Sequence, residues 1–512
     1  MDLGKPPALP GVYDLILAYY KKARLGNMVP DKVALRKTFY AFVAATLIVI
    51  FLLGSLAKKA EALMTVEEEK KLGEKVLLEI RKSMQAVRDP TLQSFLDRVG
   101  GSLVAQVSPT PFEFNFNLIK NKDPNAFAIP GGQIFVTTGL LTLAENDHEV
   151  AGVLGHEIGH VTQRHVAQLI DRSKRLTWAS LAGILAGVLA GRAGGAQTTA
   201  AAAMMSTALP EALLLKYTRE NESEADQKGL ETMIKAGYDP NGMIAFLNRM
   251  YKIQLILAPN IPGYLLTHPA IEDRIVLLEN ILLGLKPQGP FKPVKNLKWI
   301  QTKALVEEME PSVAVSHFES IVKTNPDDVT GLFGLGVAFR RMGRLDKSVE
   351  VLQNASSLAS ENSDILTELG IAYFLSGKLE QAVEKLEAAR SSFPSGTGQN
   401  DDLLGLYYLG RTYQERGDFA KALPLFLKVK NEMPEYIDVY FSLGSVYGRM
   451  EQQGLSHFYF AKHFKMRGEM NNALLHFRAA LEWLERGSPE RDEAQREIRE
   501  LAQPTKQNRK RL

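Results

Sequence analysis

Hydrophobic and polar positions alternate along this chain with three different rhythms. Residues 38–57, TFYAFVAATLIVIFLLGSLA, form a run of about 20 residues without a charge, enough for a helix to cross a hydrocarbon core. Lys32, Arg36 and Lys37 precede it, so the positive-inside tendency leaves residues 1–37 cytoplasmic and sends the remainder across. Ala60-Glu61-Ala62 follows with the spacing of a cleavage site. Residues 38–62 are therefore expected to be either an uncleaved anchor or a signal sequence, and Met28 as the true start would suit the second. Both readings place the bulk of the chain outside the cytoplasm.

Residues 63–288 mix helical and strand patterns. Behind Asp147, a side chain able to cap a first turn, Val150, Val153, Leu154, Ile158 and Val161 recur at helical spacing. Just upstream, FAIPGGQIFV alternates apolar and small residues around Pro-Gly-Gly. It predicts a hairpin beside that helix, with an edge able to take an extended peptide by strand addition. The apolar run Trp178–Gly191 is about 14 residues long and ends at Arg192. That is short for a span, so residues 177–206 are expected to form a lid or an interfacial segment.

From about residue 295 the period is helical and repeats itself. LFGLGVAF, LTELGIAY, LYYLGRTY and YFSLGSVY align, with Gly336, Gly370, Gly410 and Gly444 spaced 34, 40 and 34 residues apart. The longer interval contains the insert SGTGQN. Small residues at Ala382 and Ala422, Leu386 and Phe426 after them, and Pro394 and Pro434 at the ends complete a tetratricopeptide pattern. A degenerate unit around Phe318 and Pro326 precedes these repeats, and MRGEMNNALLHFRAA resembles a last half-unit. The expected fold is α+β and mostly helical over 63–288, followed by an all-α solenoid over 295–485. Residues 486–512 are expected to form a basic tail.

Composition narrows the chemistry. At 512 residues, 45% hydrophobic and 23% charged, the chain can fill two or more cores. A net charge of +3 gives no nucleic-acid footprint, and the terminal KQNRKRL reads as a solvated tail. There is no cysteine, which excludes disulfides, thiolate metal ligands and a cysteine nucleophile. Any metal must be held by histidines and carboxylates.

Such a set is present. His156, Glu157 and His160 lie in H-E-x-x-H on the expected helix, where two imidazoles one turn apart can reach one tetrahedral zinc. Glu157 then points at the remaining position, where a carboxylate can take a proton from water attacking a peptide carbonyl. In YTRENESEADQKG, Glu222 and Asp226 are also one turn apart. The spacing suggests Glu222 on the metal and Asp226 holding a ligand histidine by its other nitrogen. On its own, an acidic helix can equally be a solvated face.

Together with PNAFAIPGGQIFVTTGLL and LLTHP, the stretches GHEIGH and ENESEAD resemble the gluzincin metallopeptidases, the group containing HtpX and the CAAX prenyl proteases. With a signal or anchor in front and repeats behind, the pattern is similar to the periplasmic BepA-type proteases. The resemblance implies one Zn2+ per chain on His156, His160 and Glu222, with Glu157 as general base and acid and Asp226 behind a ligand. It further implies His268 of LLTHP as a fourth ligand or latch and Asn125 as a substrate contact. Cleavage of unfolded, misfolded or stalled envelope proteins in the periplasm is the implied activity. Partners would be those protein substrates and, through the repeats, the outer-membrane assembly machinery. Nucleic acid is not expected, and membrane association would run through residues 38–57 if they are uncleaved. The alternative is a chaperone or assembly factor with secondary protease activity. A scaffold with a dead site is disfavoured by the intact Glu157.

Overall fold

The computed structural model describes residues 64–87, 89–107, 109–172, 217–257, 262–285, 289–294, 297–392 and 402–502. The expected membrane run at 38–57 and the segment 177–206 lie outside them. Among the described residues no helix is long and apolar enough to cross a membrane.

The first helix, α1 (Val66–Ser83), starts with a capping box in which Thr65 and Glu68 satisfy each other's backbone N–H groups. Next, α2 (Pro90–Val104) has Asp89 as its cap and Pro90 at the position that lacks a donor anyway. A three-stranded sheet follows, made of β1 (Asn115–Ile119), β2 (Ala126–Ile129) and β3 (Gln133–Thr137) in the order β1-β3-β2. The expected hairpin is β2–β3, antiparallel, with Ala126 opposite Val136. Its turn needs left-handed backbone at Gly131 and Gly132, with φ of 86° and 89°. Unforeseen is β1, which adds in parallel to β3. Alternation sets the two faces of the sheet. Ala126, Ala128, Ile134 and Val136 join the main core, while Phe127, Ile129 and Phe135 pack with Val76 and Ile80 of α1.

After α3 (Thr138–Leu143) comes α4 (Asp147–Thr162), in which every residue from Asp147 to Val161 is buried. The expected cap is displaced by one position. Asn146 is the capping residue, its side chain accepting from the Glu149 N–H, and Asp147 is the first helical residue. The remaining helices of this domain are α5 (His165–Arg172), α6 (Arg219–Lys235), α7 (Asn241–Leu257), α8 (Gly263–Thr267) and α9 (Ile271–Leu285). One core gathers residues from α2, the sheet, α4, α6 and α7.

The solenoid runs through α10 (Lys298–Glu308), α11 (Pro311–Thr324), α12 (Val329–Arg341), α13 (Leu345–Leu358), α14 (Ser363–Leu375) and α15 (Leu379–Ser392). It continues through α16 (Leu403–Glu415), α17 (Phe419–Glu432), α18 (Ile437–Arg449), α19 (Gln453–Met466), α20 (Met470–Trp483) and α21 (Pro489–Ala502). The repeat glycines let paired helices close up. A Cβ on Gly336 would lie 2.5 Å from Leu352, and one on Gly370 would lie 2.6 Å from Leu386. Two boundaries differ from the sequence expectation. Residues 489–502 lie within the stretch read as a basic tail, yet they form α21, which buries Ala494 in the solenoid core. An amphipathic turn there has apolar positions that the net charge hides. At the other end α10 is shared, with Ala304 and the capping residue Leu297 in the first core and Val306 in the solenoid core. Lys303 on α10 is buried between them, its Nζ 3.1 Å from Thr91 Oγ1 of α2 and 3.1 Å from Asp364 Oδ1 of α14.

Candidate metal centre

Small residues bring the chemistry together. Where α4 crosses α6, a Cβ on Gly159 would sit 2.7 Å from the Ala225 carbonyl oxygen, and Gly155 meets Gly229. No larger side chain fits between the two backbones, so His156 and His160 face Glu222 and Asp226 directly. His268 enters as the residue that ends α8, its N–H donating to the Tyr264 carbonyl at 2.8 Å.

Four side chains then converge. His156 Nε2 lies 3.0 Å from His160 Nε2 and 3.2 Å from His268 Nδ1. Glu222 Oε1 lies 3.2 Å from His268 Nδ1 and 3.4 Å from His160 Nε2, and Glu222 Oε2 lies 3.6 Å from His156 Nε2. A tetrahedral zinc with bonds of about 2.0–2.1 Å sets its ligand atoms about 3.3–3.4 Å apart. The observed separations bracket that edge, and three imidazoles with one carboxylate are a donor set suited to zinc. All four residues are buried. Glu157 stands beside them, fully buried, with neither carboxylate oxygen hydrogen-bonded among the described residues; its Oε1 is 3.5 Å from His268 Nε2. A buried carboxylate without a protein partner is expensive unless something else is meant to face it.

The electrostatics follow from burial and one arginine. Burial pushes the Glu157 carboxyl up, against the pull of His268 and His156. For Glu222 burial acts in the same sense, but His268 and Arg274 overcome it and hold the carboxyl well below the usual range. Asp226 behaves alike: burial opposes ionisation, and Arg274 and His156 outweigh it. Asp226 Oδ1 is 2.7 Å from His156 Nδ1. Arg274 of α9 donates to both Asp226 oxygens, at 2.8 and 2.7 Å. Its Nη1 also reaches Glu222 Oε2 at 2.8 Å, an ion pair outside hydrogen-bond geometry.

The sequence reading thus named His156, Glu157, His160, Glu222, Asp226 and His268, and the structure brings all six together. It missed Arg274, which lies one helix beyond LLTHP and whose six-residue distance from His268 carries no periodic signal. It also missed His165, whose Nδ1 is 2.9 Å from His160 Nδ1. Tyr217 stacks on the His160 ring at 3.9 Å and Tyr264 on the His268 ring at 4.6 Å. Asn125 is buried at the entrance to β2, and its backbone exchanges hydrogen bonds with Thr137, the N–H donating to Oγ1 at 2.9 Å. Its Oδ1 is buried without a hydrogen-bond partner among the described residues.

Residues 87–282 match the model for Peptidase family M48. Tetratricopeptide repeat models match residues 303–362, 338–397 and 405–435. The beta-barrel assembly-enhancing protease of Yersinia pestis is 32% identical over 244 residues, which is 46% of this chain and 48% of that protein. Its Escherichia coli K12 counterpart is 31% identical over 239 residues, again 46% and 48%. The mitochondrial metalloendopeptidase OMA1 of Schizosaccharomyces pombe is 28% identical over 188 residues, 37% of this chain and 52% of that protein. The chain spans about half the length of the curated relatives it matches. The four converging side chains all lie within the segment that matches Peptidase family M48, and the segments that match tetratricopeptide repeats follow it.

Proposed function

We propose that this chain is a zinc-dependent endopeptidase that cleaves envelope proteins in the periplasm. The observation that carries the proposal is the convergence of His156, His160, Glu222 and His268 at tetrahedral spacing beside a buried Glu157 whose carboxylate has no hydrogen-bond partner among the described residues. His156, His160 and Glu222 would hold the metal. Zinc, when bound, supplies Lewis-acid polarisation of the scissile carbonyl and a lowered pKa for water. Glu157 takes the proton from the attacking water and returns it to the departing amine. Asp226 keeps the His156 ring in one orientation, and Arg274 holds Asp226 and Glu222 in place by charge. His268 acts as the latch, because a side chain in the fourth position keeps substrate and water out.

Outer-membrane proteins as substrates are supported by the two relatives named beta-barrel assembly-enhancing proteases. Periplasmic location is supported by the apolar run at 38–57 with basic residues before it. Substrate or partner binding falls to the solenoid, whose stacked helices offer a surface much larger than the metal cleft. Asn125 and the β2–β3 hairpin are assigned to the substrate backbone. The word "assembly" in the relatives' name favours a second reading, in which the repeats chaperone outer-membrane proteins and cleavage is secondary. Casein cleavage by the purified protein is the test: a chelator should abolish it and added zinc restore it. Cleavage that survives the chelator would overturn the proposal.

A further inference from the structure

Two of the histidines on α4, His156 and His160, are held from behind by different devices. Behind His156 stand Asp226 and Arg274, both buried. Behind His160 the chain turns back on itself. Arg164 adopts a left-handed φ of 57°, a conformation that is uncommon for a residue with a side chain and is kept only where the surroundings hold it. Here the buried Glu69 accepts from Arg164 Nε at 2.8 Å, and the Met64 carbonyl accepts from Nη2. The reversal starts α5 at His165 and lays its ring against His160, Nδ1 to Nδ1 at 2.9 Å. The other nitrogen, Nε2, is 3.1 Å from Glu224 Oε2.

The proton positions along this chain are determined by its end. An ionised Glu224 carboxylate only accepts, so His165 Nε2 carries a proton and donates it. His165 Nδ1 is then an acceptor, which requires His160 Nδ1 to donate. The lone pair of His160 is thereby left on Nε2, the atom that faces Glu222 and His156.

We propose that His165 and Glu224 are positioning residues that fix the tautomer and ring orientation of His160 for metal binding. The inference rests on the zinc reading above. Each ligand histidine has its own clamp: the one on His156 is sealed in the core, and the one on His160 ends at a side chain that is 58% exposed. Loss of such a partner typically lowers metal affinity by about 10–100-fold.

The test is zinc affinity of the full chain, measured by competition with a chromophoric chelator, together with the visible spectrum of the cobalt-substituted protein. His165→Ala should bind zinc about 10–100-fold more weakly than wild type and shift the cobalt bands. His165→Asn places an amide oxygen where Nδ1 stood, and should recover most of that loss. Glu224→Ala alters only a surface side chain, and should give a smaller loss in the same direction. This pair keeps the test decisive even if His165→Ala fails to fold. Wild-type affinity in His165→Ala, or no recovery in His165→Asn together with no loss in Glu224→Ala, would overturn this proposal alone. A wild-type protein that binds no zinc would overturn the zinc reading and this proposal with it.

Discussion

His268 Nε2 and Glu157 Oε1 face each other across 3.5 Å, while His268 Nδ1 sits among the other ligand atoms. In the proposed centre one histidine would thus fill a ligand position and crowd the base. Replacing His268 with Ala should leave three zinc ligands and raise casein cleavage at matched zinc content. A fall of about 10²-fold would instead assign His268 to stabilising the oxyanion of the reaction. At this scale the sequence was legible where spacing encodes geometry. His156 and His160 are one helical turn apart, and so are Glu222 and Asp226. Arg274 and His165 were not legible, because each reaches the site through a turn. Arg274 arrives after the chain leaves α8, and His165 depends on left-handed backbone at Arg164, which nothing in VTQRH announces.

Among the elements, the contact between α4 and α6 decides whether the ligands meet. A Cβ on Gly159 would be 2.7 Å from the Ala225 oxygen and 2.9 Å from its Cα, both backbone atoms that cannot swing aside. Gly159→Ala should therefore push the helices apart, destabilise the protein by about 1–3 kcal/mol, and weaken zinc binding by displacing Glu222. Thermal melts and zinc titration of the variant check both effects; wild-type values in both would mean that the crossing is looser than described. The β2–β3 hairpin was readable because Pro130-Gly131-Gly132 allows few other conformations. By contrast, β1 pairs in parallel with β3 after a long connection, and local alternation in NFNLI does not specify that partner. The cap at Asn146 instead of Asp147 is a one-residue ambiguity between two good capping side chains.

For the molecule as a whole, the junction between the first domain and the repeats is the part that periodicity could not show, since α10 satisfies two cores at once. Half-buried Asp97 on α2 lies near this junction. Burial raises its carboxyl to about 7, Gln93 opposes the shift, and the charge of Glu435 in the solenoid adds to it. Folded protein therefore keeps this proton to about pH 7, whereas the unfolded chain releases it near its ordinary value of 3.8. Between those limits the folded state binds more protons, so stability falls as pH rises through that window and is fully reduced above about 7. Asp97→Asn should melt a few degrees above wild type at pH 8, with a smaller gap at pH 5; an equal gap at both would contradict the assignment. The proposed function requires a hydrolytic metal centre in which Glu157 moves the proton and does not hold the metal. Zinc content and casein cleavage of Glu157→Gln, measured side by side with wild type, test this most directly. The expected result is one zinc per chain in both proteins, with cleavage by the variant reduced to background. Undiminished cleavage by the zinc-loaded variant, or a wild type that cleaves casein without zinc, would contradict it.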